Sequence, residues 1–159
     1  MNISAFETAL GAIGDHMQTF RSQAIHVDQF RGPFRDSYIA SVGSAIESEA
    51  AKLQSPVVLD FGCWSGVTSL LIAHMRNVCS VIGVDIDQKS MEFAKTYIQP
   101  LHPGLEFRPC DSVRLPLDDG SVDLIAINQV FCNMNRGEFE PMIAELARAT
   151  ARRTVVADR

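Results

Sequence analysis

The chain has 159 residues, a length that suits one domain, and 47% of them are hydrophobic against 21% charged. These proportions are typical of a globular protein and exclude a disordered one. The net charge of −5 comes without a basic block, which argues against nucleic acid as the main partner. Because no apolar run approaches the roughly 18 residues of a membrane span, no membrane partner is predicted either.

The four cysteines, Cys63, Cys79, Cys110 and Cys132, lie far apart and form no C-x-x-C pair. This spacing indicates reduced thiols rather than a zinc site or a disulfide framework. The N-terminus also lacks the charged start and the cleavage site of a signal peptide. We therefore expect a cytoplasmic protein without a bound metal.

Residues 1–53 are predicted to be helical. Five apolar residues recur there at alternating spacings of four and three, the pattern of one helix face: Phe6, Leu10, Ile13, Met17 and Phe20. This face can pack on the rest of the chain, form a seam between two subunits, or act as a lid over a ligand. Packing is the favoured interpretation.

Gly32 and Pro33 interrupt the helical pattern, and a second helix is predicted to begin near residues 34–36. Ser55-Pro56 ends it, because the residue before a proline disfavours helical backbone. The predicted buried face of this helix consists of Tyr38, Val42, Ala45, Ile46, Ala50 and Leu53.

Residues 57–73 form the centre of the predicted fold. The apolar run 57–59 is too short for a helix and suits a buried strand, which closes with Asp60. A turn containing Gly62 and Gly66 follows, and then an apolar helix. A strand, a glycine-bearing turn and a helix N-terminus together form the usual ligand crevice of an open parallel sheet.

The turn is not a dinucleotide fingerprint. The pattern G-x-G-x-x-G would require Gly where Trp64 and Val67 stand, and no Gly-Lys-Ser/Thr follows, as it would in a phosphate loop. A nicotinamide-dependent reductase is therefore disfavoured.

A second strand is predicted over residues 80–87, with Asp85 located 23 residues after Gly62. This spacing brings the Asp85 carboxylate beside the first turn, where it can accept hydrogen bonds from ribose hydroxyls. The feature indicates a nucleoside ligand but does not distinguish one cofactor from another. Asp87 is predicted to cap a helix over residues 88–98.

The remaining elements continue the alternation of strands and helices. We predict strands over residues 105–110, 122–127 and 153–158, and Pro109 indicates that the first of these lies at a sheet edge. A helix is predicted over residues 138–151, and its apolar side consists of Phe139, Met142, Ile143, Leu146 and Ala147.

Three segments resemble class I S-adenosylmethionine-dependent methyltransferases, over roughly residues 55–158. Residues 60–66, Asp-Phe-Gly-Cys-Trp-Ser-Gly, resemble motif I, E/D-x-G-x-G-x-G, with Trp64 at the middle Gly position. Asp111-Ser112 is followed by Leu115-Pro116 and then by a Val-Asp-Leu-Ile strand, as in many small-molecule methyltransferases. Asn128-Gln129 matches the loop that forms the floor of the cofactor site in related enzymes.

The resemblance implies an α/β fold, a doubly wound Rossmann-like parallel sheet of order 3-2-1-4-5 with N-terminal helices. Residues 1–53 would be a helical cap and residues 54–159 the cofactor-binding core, within one compact domain. The sequence ends after the fifth strand, without the antiparallel hairpin of full-length members. Because this would leave an apolar sheet edge, we expect a second copy or a partner subunit to cover the edge or the Phe6–Phe20 face.

The cofactor implied by the resemblance is S-adenosylmethionine, with S-adenosylhomocysteine as product. Asp60 would anchor the ammonium, Asp85 the ribose and Asp111 the adenine amino group. The full predicted cofactor set is Asp60, Gly62, Cys63, Trp64, Gly66, Asp85, Ile86, Asp111, Ser112, Asn128 and Gln129. Candidates for the substrate pocket are Tyr38, Phe131 and Asn133. His26 is a further candidate. The favoured interpretations are a core-edge aromatic for Tyr38 and a surface histidine for His26.

The implied reaction is in-line methyl transfer to a small molecule, which depends mainly on orientation. No catalytic residue is predicted, because Asn133 stands where related enzymes often have His, and Asn cannot act as a general base. The alternative is a shortened, non-catalytic domain that serves as a cofactor-binding or partner subunit.

Overall fold

Five parallel strands form the sheet in the residues that the computed structural model describes, which are 1–13, 20–111 and 114–156. Their order is β3-β2-β1-β4-β5, which confirms the predicted order. The strands are β1 (Val57–Phe61), β2 (Ser80–Asp85), β3 (Leu105–Pro109), β4 (Val122–Ile127) and β5 (Thr150–Val156). β3 lies at a sheet edge, as Pro109 indicated.

The two faces of the sheet bury two separate sets of side chains. Val58 is level with Val81 and Leu124 on the neighbouring strands, and these three belong to one hydrophobic cluster. The next residue along, Leu59, is level with Ile82 and Ile125 in the other cluster. Burial on both faces explains why β1 begins with an uninterrupted apolar run at residues 57–59.

The N-terminal helices pack onto the first of these clusters. They are α1 (Ile3–Gly11), α2 (Arg21–Gln29), α3 (Pro33–Tyr38) and α4 (Ser44–Ala50), and a π-helical turn, Ile39–Gly43, joins the last two. The described members of the predicted apolar face are buried within the chain itself: Phe6, Leu10, Ile13 and Phe20. This agrees with packing and corrects the alternative that these four form a seam between subunits.

The sequence suggested that a single helix carries this apolar face. In the described residues, no single helix carries the whole face. α1 ends at Gly11, and Phe20 stands immediately before α2. Gly11 is a poor residue for a helix interior, so the helix stops there although the apolar spacing continues. Met17 lies outside the described residues.

The second predicted helix is a continuous helical run over residues 33–50. Pro33 occupies its first turn, where a missing N–H is tolerated. Ala45, a predicted member of the buried face, is exposed. The other predicted members within the helix are buried, as expected: Tyr38, Val42, Ile46 and Ala50. Leu53 lies beyond the helix end and is half-buried.

The helices of the core connect its strands. They are α5 (Val67–Ala73), α6 (Gln88–Phe93) and α7 (Arg136–Ala149), with a π-helical turn at Ala94–Ile98 and 3₁₀ turns at Gln99–Leu101 and Phe131–Asn133. The backbone N of Ser90 donates to the Asp87 carboxylate, which confirms the predicted cap of α6. β2 ends at Asp85, two residues earlier than predicted.

The boundaries of α7 and β5 differ from the prediction. A reciprocal capping box between Asn135 and Glu138 starts α7 at Arg136, two residues before the predicted start at residue 138. The backbone is already extended at Thr150, so β5 begins there rather than at Arg153.

Only part of the predicted apolar side of α7 is buried. Met142 and Leu146 pack against the sheet, whereas Phe139 and Ile143 are 41% and 40% exposed. Ala147 is also exposed. The helix therefore buries a narrower stripe than its sequence suggests, and an apolar strip remains on its outer side.

Candidate functional site

A cavity of about 400 Å³ lies at the carboxyl ends of the strands. Phe61 at the end of β1 is level with Val84 of β2 and Ile127 of β4, so the loops that follow these strands meet at one place. The volume lies within the range of small-molecule and cofactor sites, which is roughly 300–1,000 Å³.

Most of the predicted cofactor residues line this cavity: Asp60, Gly62, Cys63, Trp64, Asp85, Ile86, Asp111, Asn128 and Gln129. Gly66 is absent from the lining, and Ser112 lies outside the described residues. Of the substrate-pocket candidates, Asn133 lines the cavity. The structure does not bring Tyr38 or Phe131 to it.

Tyr38 and Phe131 pack against other aromatic side chains outside the cavity. Tyr38 is 6% exposed and lies edge-on to Phe30, with ring centroids 5.2 Å apart. Phe131 lies edge-on to Phe139 at 5.0 Å. Tyr38 is thus a core residue, as favoured from the sequence, and Phe131 in the 3₁₀ turn before α7 packs beside the apolar strip on that helix.

Three residues of the motif I loop have left-handed backbone: Gly62 (φ +76°), Trp64 (φ +46°) and Gly66 (φ +79°). A Cβ on Gly62 would lie 2.3 Å from Val130 Cγ2, and one on Gly66 would lie 2.6 Å from the Phe107 ring. Packing within the protein requires both.

Asp60 is a buried carboxylate at the base of the cavity, 4% exposed. Its Oδ2 accepts hydrogen bonds from Thr68 Oγ1 at 2.7 Å and Ser69 Oγ at 2.6 Å, both at the start of α5. Burial raises its pKa to about 6, although the two hydroxyls lower it. In the described part of the chain, neither Lys nor Arg forms an ion pair with Asp60, so its carboxylate can accept a cationic ligand.

Asp85 joins the two loops that border the cavity. Its Oδ2 accepts from the backbone N of Trp64 at 2.8 Å, and its Oδ1 accepts from the backbone N of Asp87 at 2.9 Å. Each carboxylate oxygen has two lone pairs, so both can still accept from a ligand. Asp111, farther along the same rim, accepts from the backbone N of Arg114 at 2.7 Å.

His26 reaches the cavity from α2, which corrects the expectation of a surface position. Its Nδ1 lies 2.5 Å from Ser65 Oγ, and its ring centroid lies 4.8 Å from that of Trp64. Burial lowers the pKa of His26 to about 4, so the imidazole is neutral at pH 7. This contact spans 39 positions of sequence, and no local pattern indicated it.

The rest of the wall comes from the segment after β4 and from α7. Val130, Met134 and Met142 supply apolar surface, and Glu138 adds a carboxylate. Asn133 Nδ2 donates to the Gln129 carbonyl at 2.8 Å, which holds the 3₁₀ turn in place. Val130, Met134, Met142 and Glu138 were not predicted as wall residues, because the path of the segment after β4 and the orientation of α7 depend on tertiary packing.

The charged groups in the lining are acidic. The carboxylates of Asp60, Asp85, Asp111 and Glu138 are present, and the described lining contains neither Lys nor Arg. Among residues 1–13, 20–111 and 114–156, no three His, Cys, Asp or Glu side chains are arranged to hold a metal ion. No helix in these same ranges is both long and apolar enough to cross a membrane.

The methyltransferase-domain family matches residues 58–153. This match covers more than half of the chain and contains all five strands except the ends of β1 and β5. The chain therefore belongs to the methyltransferase-domain family. Its fold and motifs are those of the class I enzymes, whose cofactor is S-adenosylmethionine. A comparison with curated protein sequences finds no match.

Solved structures share this fold at low sequence identity. The PH0226 protein of Pyrococcus horikoshii is 20% identical with a TM-score of 0.68, and the alignment covers 80% of this chain and 59% of that one. A SAM-dependent methyltransferase of Aquifex aeolicus is 19% identical with a TM-score of 0.63, covering 82% and 69%.

A third similar structure is a putative methyltransferase of Haloferax volcanii in complex with a Trm112 methyltransferase activator. It is 18% identical with a TM-score of 0.63, and the alignment covers 87% of this chain and 57% of that one. The present chain thus spans about three-fifths of the length of the Pyrococcus and Haloferax proteins. At these identities the likeness shows the fold alone.

Proposed function

We propose that this chain binds S-adenosylmethionine in the cavity and directs its methyl group to a small molecule. The observation that carries the proposal is Asp60, a buried carboxylate in the cavity that has two hydroxyl donors and no ion pair with Lys or Arg among the described residues. A cationic ammonium would complete that environment, because a buried carboxylate is stabilised by an opposite charge.

The cavity residues fit the parts of this cofactor. Asp60 would hold the ammonium, Asp85 the ribose hydroxyls and Asp111 the adenine amino group. Gly62, Cys63, Ile86, Asn128 and Gln129 would form the walls around them, with Ser112 beside the ring. The acidic lining supports a ligand that carries positive charge. Gly66 would act indirectly, by allowing the loop to pack on Phe107.

The bound cofactor would supply a methyl group on a positively charged sulfur. The chain would contribute orientation, which can provide much of the rate enhancement for an in-line transfer. Val130, Met134 and Met142 would exclude water on the acceptor side, and Asn133 would offer a hydrogen bond to the acceptor molecule. Residues 1–53 would serve as a cap on the core of residues 54–159, with His26 reaching the cavity.

The test is calorimetric titration with S-adenosylmethionine and S-adenosylhomocysteine. We expect micromolar binding of both ligands, strongly weakened in Asp60→Asn and in Asp85→Ala. Asp118→Asn is the matched control, because its carboxylate is exposed and lies outside the cavity. Absence of binding by folded wild-type protein would refute the proposal.

A second candidate is a non-catalytic subunit that binds the cofactor and a protein partner. The exposed Phe139 and Ile143 favour it, as does the outer edge of β5, which pairs with no strand in the described ranges. We propose that a second copy or another subunit covers this region. Cytoplasmic location is consistent with the four free cysteines.

Sedimentation and turnover separate these candidates. If wild type is a dimer at tens of micromolar and Phe139→Ser is a monomer, the region is a self-association surface. If wild type is a monomer, a second copy does not cover the region and the partner must be a different protein. Release of S-adenosylhomocysteine in the presence of a small-molecule panel supports the enzyme. Binding without turnover on any acceptor supports the subunit.

A further inference from the structure

Trp64 has a conformation and an exposure that both disfavour tryptophan. Its φ of +46° lies in the left-handed region, which strains a bulky L-residue. Its side chain is 38% exposed. Motif I has Gly at this position, which would remove the strain. Strained residues that a fold retains are concentrated at ligand sites, so the tryptophan itself calls for a functional explanation.

The indole is held in place by a helix outside the segment that matches the methyltransferase family. The His26 ring lies 4.8 Å from the indole at a tilt of 35°, and the His26 Nδ1 lies 2.5 Å from Ser65 Oγ. Phe30 supports the imidazole edge-on at 5.2 Å. These contacts fix the aromatic ring of Trp64 in the cavity wall.

The position of Trp64 relative to Asp60 and Asp85 suggests which part of the cofactor it would contact. Under the proposed function, Asp60 takes the ammonium and Asp85 takes the ribose. The sulfur of S-adenosylmethionine covalently joins the ammonium-bearing chain to the ribose, so it must lie between those two carboxylates. Trp64 shares the cavity with both, and its backbone N donates to Asp85 at 2.8 Å.

We propose that Trp64 is a specificity-determining residue whose π face attracts the positively charged sulfur. S-adenosylhomocysteine lacks the methyl group and the charge, so the indole would favour the substrate form over the product form by a cation–π interaction. His26 acts as a positioning residue that holds the indole. This inference rests on the proposed function, because it requires the cofactor to occupy the cavity.

The test compares the ratio of the two dissociation constants, S-adenosylhomocysteine over S-adenosylmethionine, by calorimetry in Trp64→Phe and Trp64→Leu. Both variants keep an apolar side chain and the same backbone strain, but only Phe keeps a π face. We expect the ratio to fall about 3- to 10-fold in Trp64→Leu and less in Trp64→Phe. Ile86→Ala, elsewhere in the wall, should weaken both ligands equally.

The outcomes distinguish failure of this inference from failure of the proposed function. If wild-type protein binds neither ligand, the proposed function fails and the inference fails with it. If both ligands bind and the ratio is the same in wild type and Trp64→Leu, the inference alone is refuted. Should Trp64→Leu fail to fold, Trp64→Gly relieves the backbone strain and is judged by the same ratio. Trp64 is the only tryptophan in the sequence. The tryptophan fluorescence of wild type should therefore change more on binding S-adenosylmethionine than on binding S-adenosylhomocysteine.

Discussion

Replacing Asp60 with Asn should stabilise the protein at pH 8 and leave its stability nearly unchanged at pH 4. Burial raises the pKa of Asp60 from 3.8 to about 6, so the folded state holds this proton more tightly than the unfolded state. The resulting stabilisation is fully present below pH 3.8 and is lost as the pH rises through 6. The shift of roughly two units corresponds to about 3 kcal/mol.

The assay is urea unfolding of wild type and Asp60→Asn between pH 4 and pH 8. Asn can still accept from Thr68 and Ser69, but an imperfect fit of its amide would reduce the gain by about 1 kcal/mol. We therefore expect Asp60→Asn to be more stable by about 2–3 kcal/mol at pH 8. Asp118→Asn is the control, because its carboxylate is exposed and lies outside the cavity. A difference between wild type and Asp60→Asn that does not change with pH would refute the reasoning.

Three further substitutions test the packing at the glycines and the burial of His26. Gly66→Ala should destabilise the fold by about 2–4 kcal/mol, because its Cβ would meet the Phe107 ring at 2.6 Å in addition to the strain of φ +79°. Gly120→Ala has φ +62° and ordinary contacts, so thermal unfolding should show a loss of only about 1 kcal/mol. Burial lowers the pKa of His26 to about 4, so wild type should lose about 3 kcal/mol relative to His26→Asn as the pH falls from 6.5 to 4. Equal acid sensitivity of the two proteins in urea unfolding would contradict this.

The sheet could be predicted because its signals are local. β1 and β4 are short apolar runs bounded by turn residues, and Pro109 marked an edge strand. Helix lengths were less predictable. α1 ends at Gly11 although the apolar spacing continues, and no spacing rule reveals the π-helical turn at Ile39–Gly43.

The grouping of Asp60 and Asp85 in the cavity could be predicted from the sequence for a different reason. Asp60 and Asp85 end adjacent parallel strands, and adjacent strand ends must lie together. His26 contacts Ser65 only through tertiary packing, and Glu138 reaches the cavity only because α7 lies beside it. Such residues depend on how helices are oriented, which apolar periodicity does not specify.

The raised pKa of Asp60 also predicts that cofactor binding depends on pH. An ammonium is attracted by the ionised carboxylate and not by the neutral acid, so affinity should fall as the pH drops below about 6. With S-adenosylhomocysteine as the ligand, which removes any contribution of sulfonium charge, the dissociation constant should rise about tenfold between pH 7 and pH 5. Calorimetry on wild type and Asp60→Asn at both pH values provides the measurement.

Asp60→Asn should bind S-adenosylhomocysteine weakly and equally at the two pH values. A pH-independent affinity in wild type would mean that the ammonium is held elsewhere. If the expected dependence is found, the buried charge has opposite effects on stability and on function. Near pH 7 Asp60 weakens the free protein, and the bound ammonium offsets that destabilisation. The fold would then retain a costly carboxylate because the ligand, and no protein side chain in the described ranges, neutralises it.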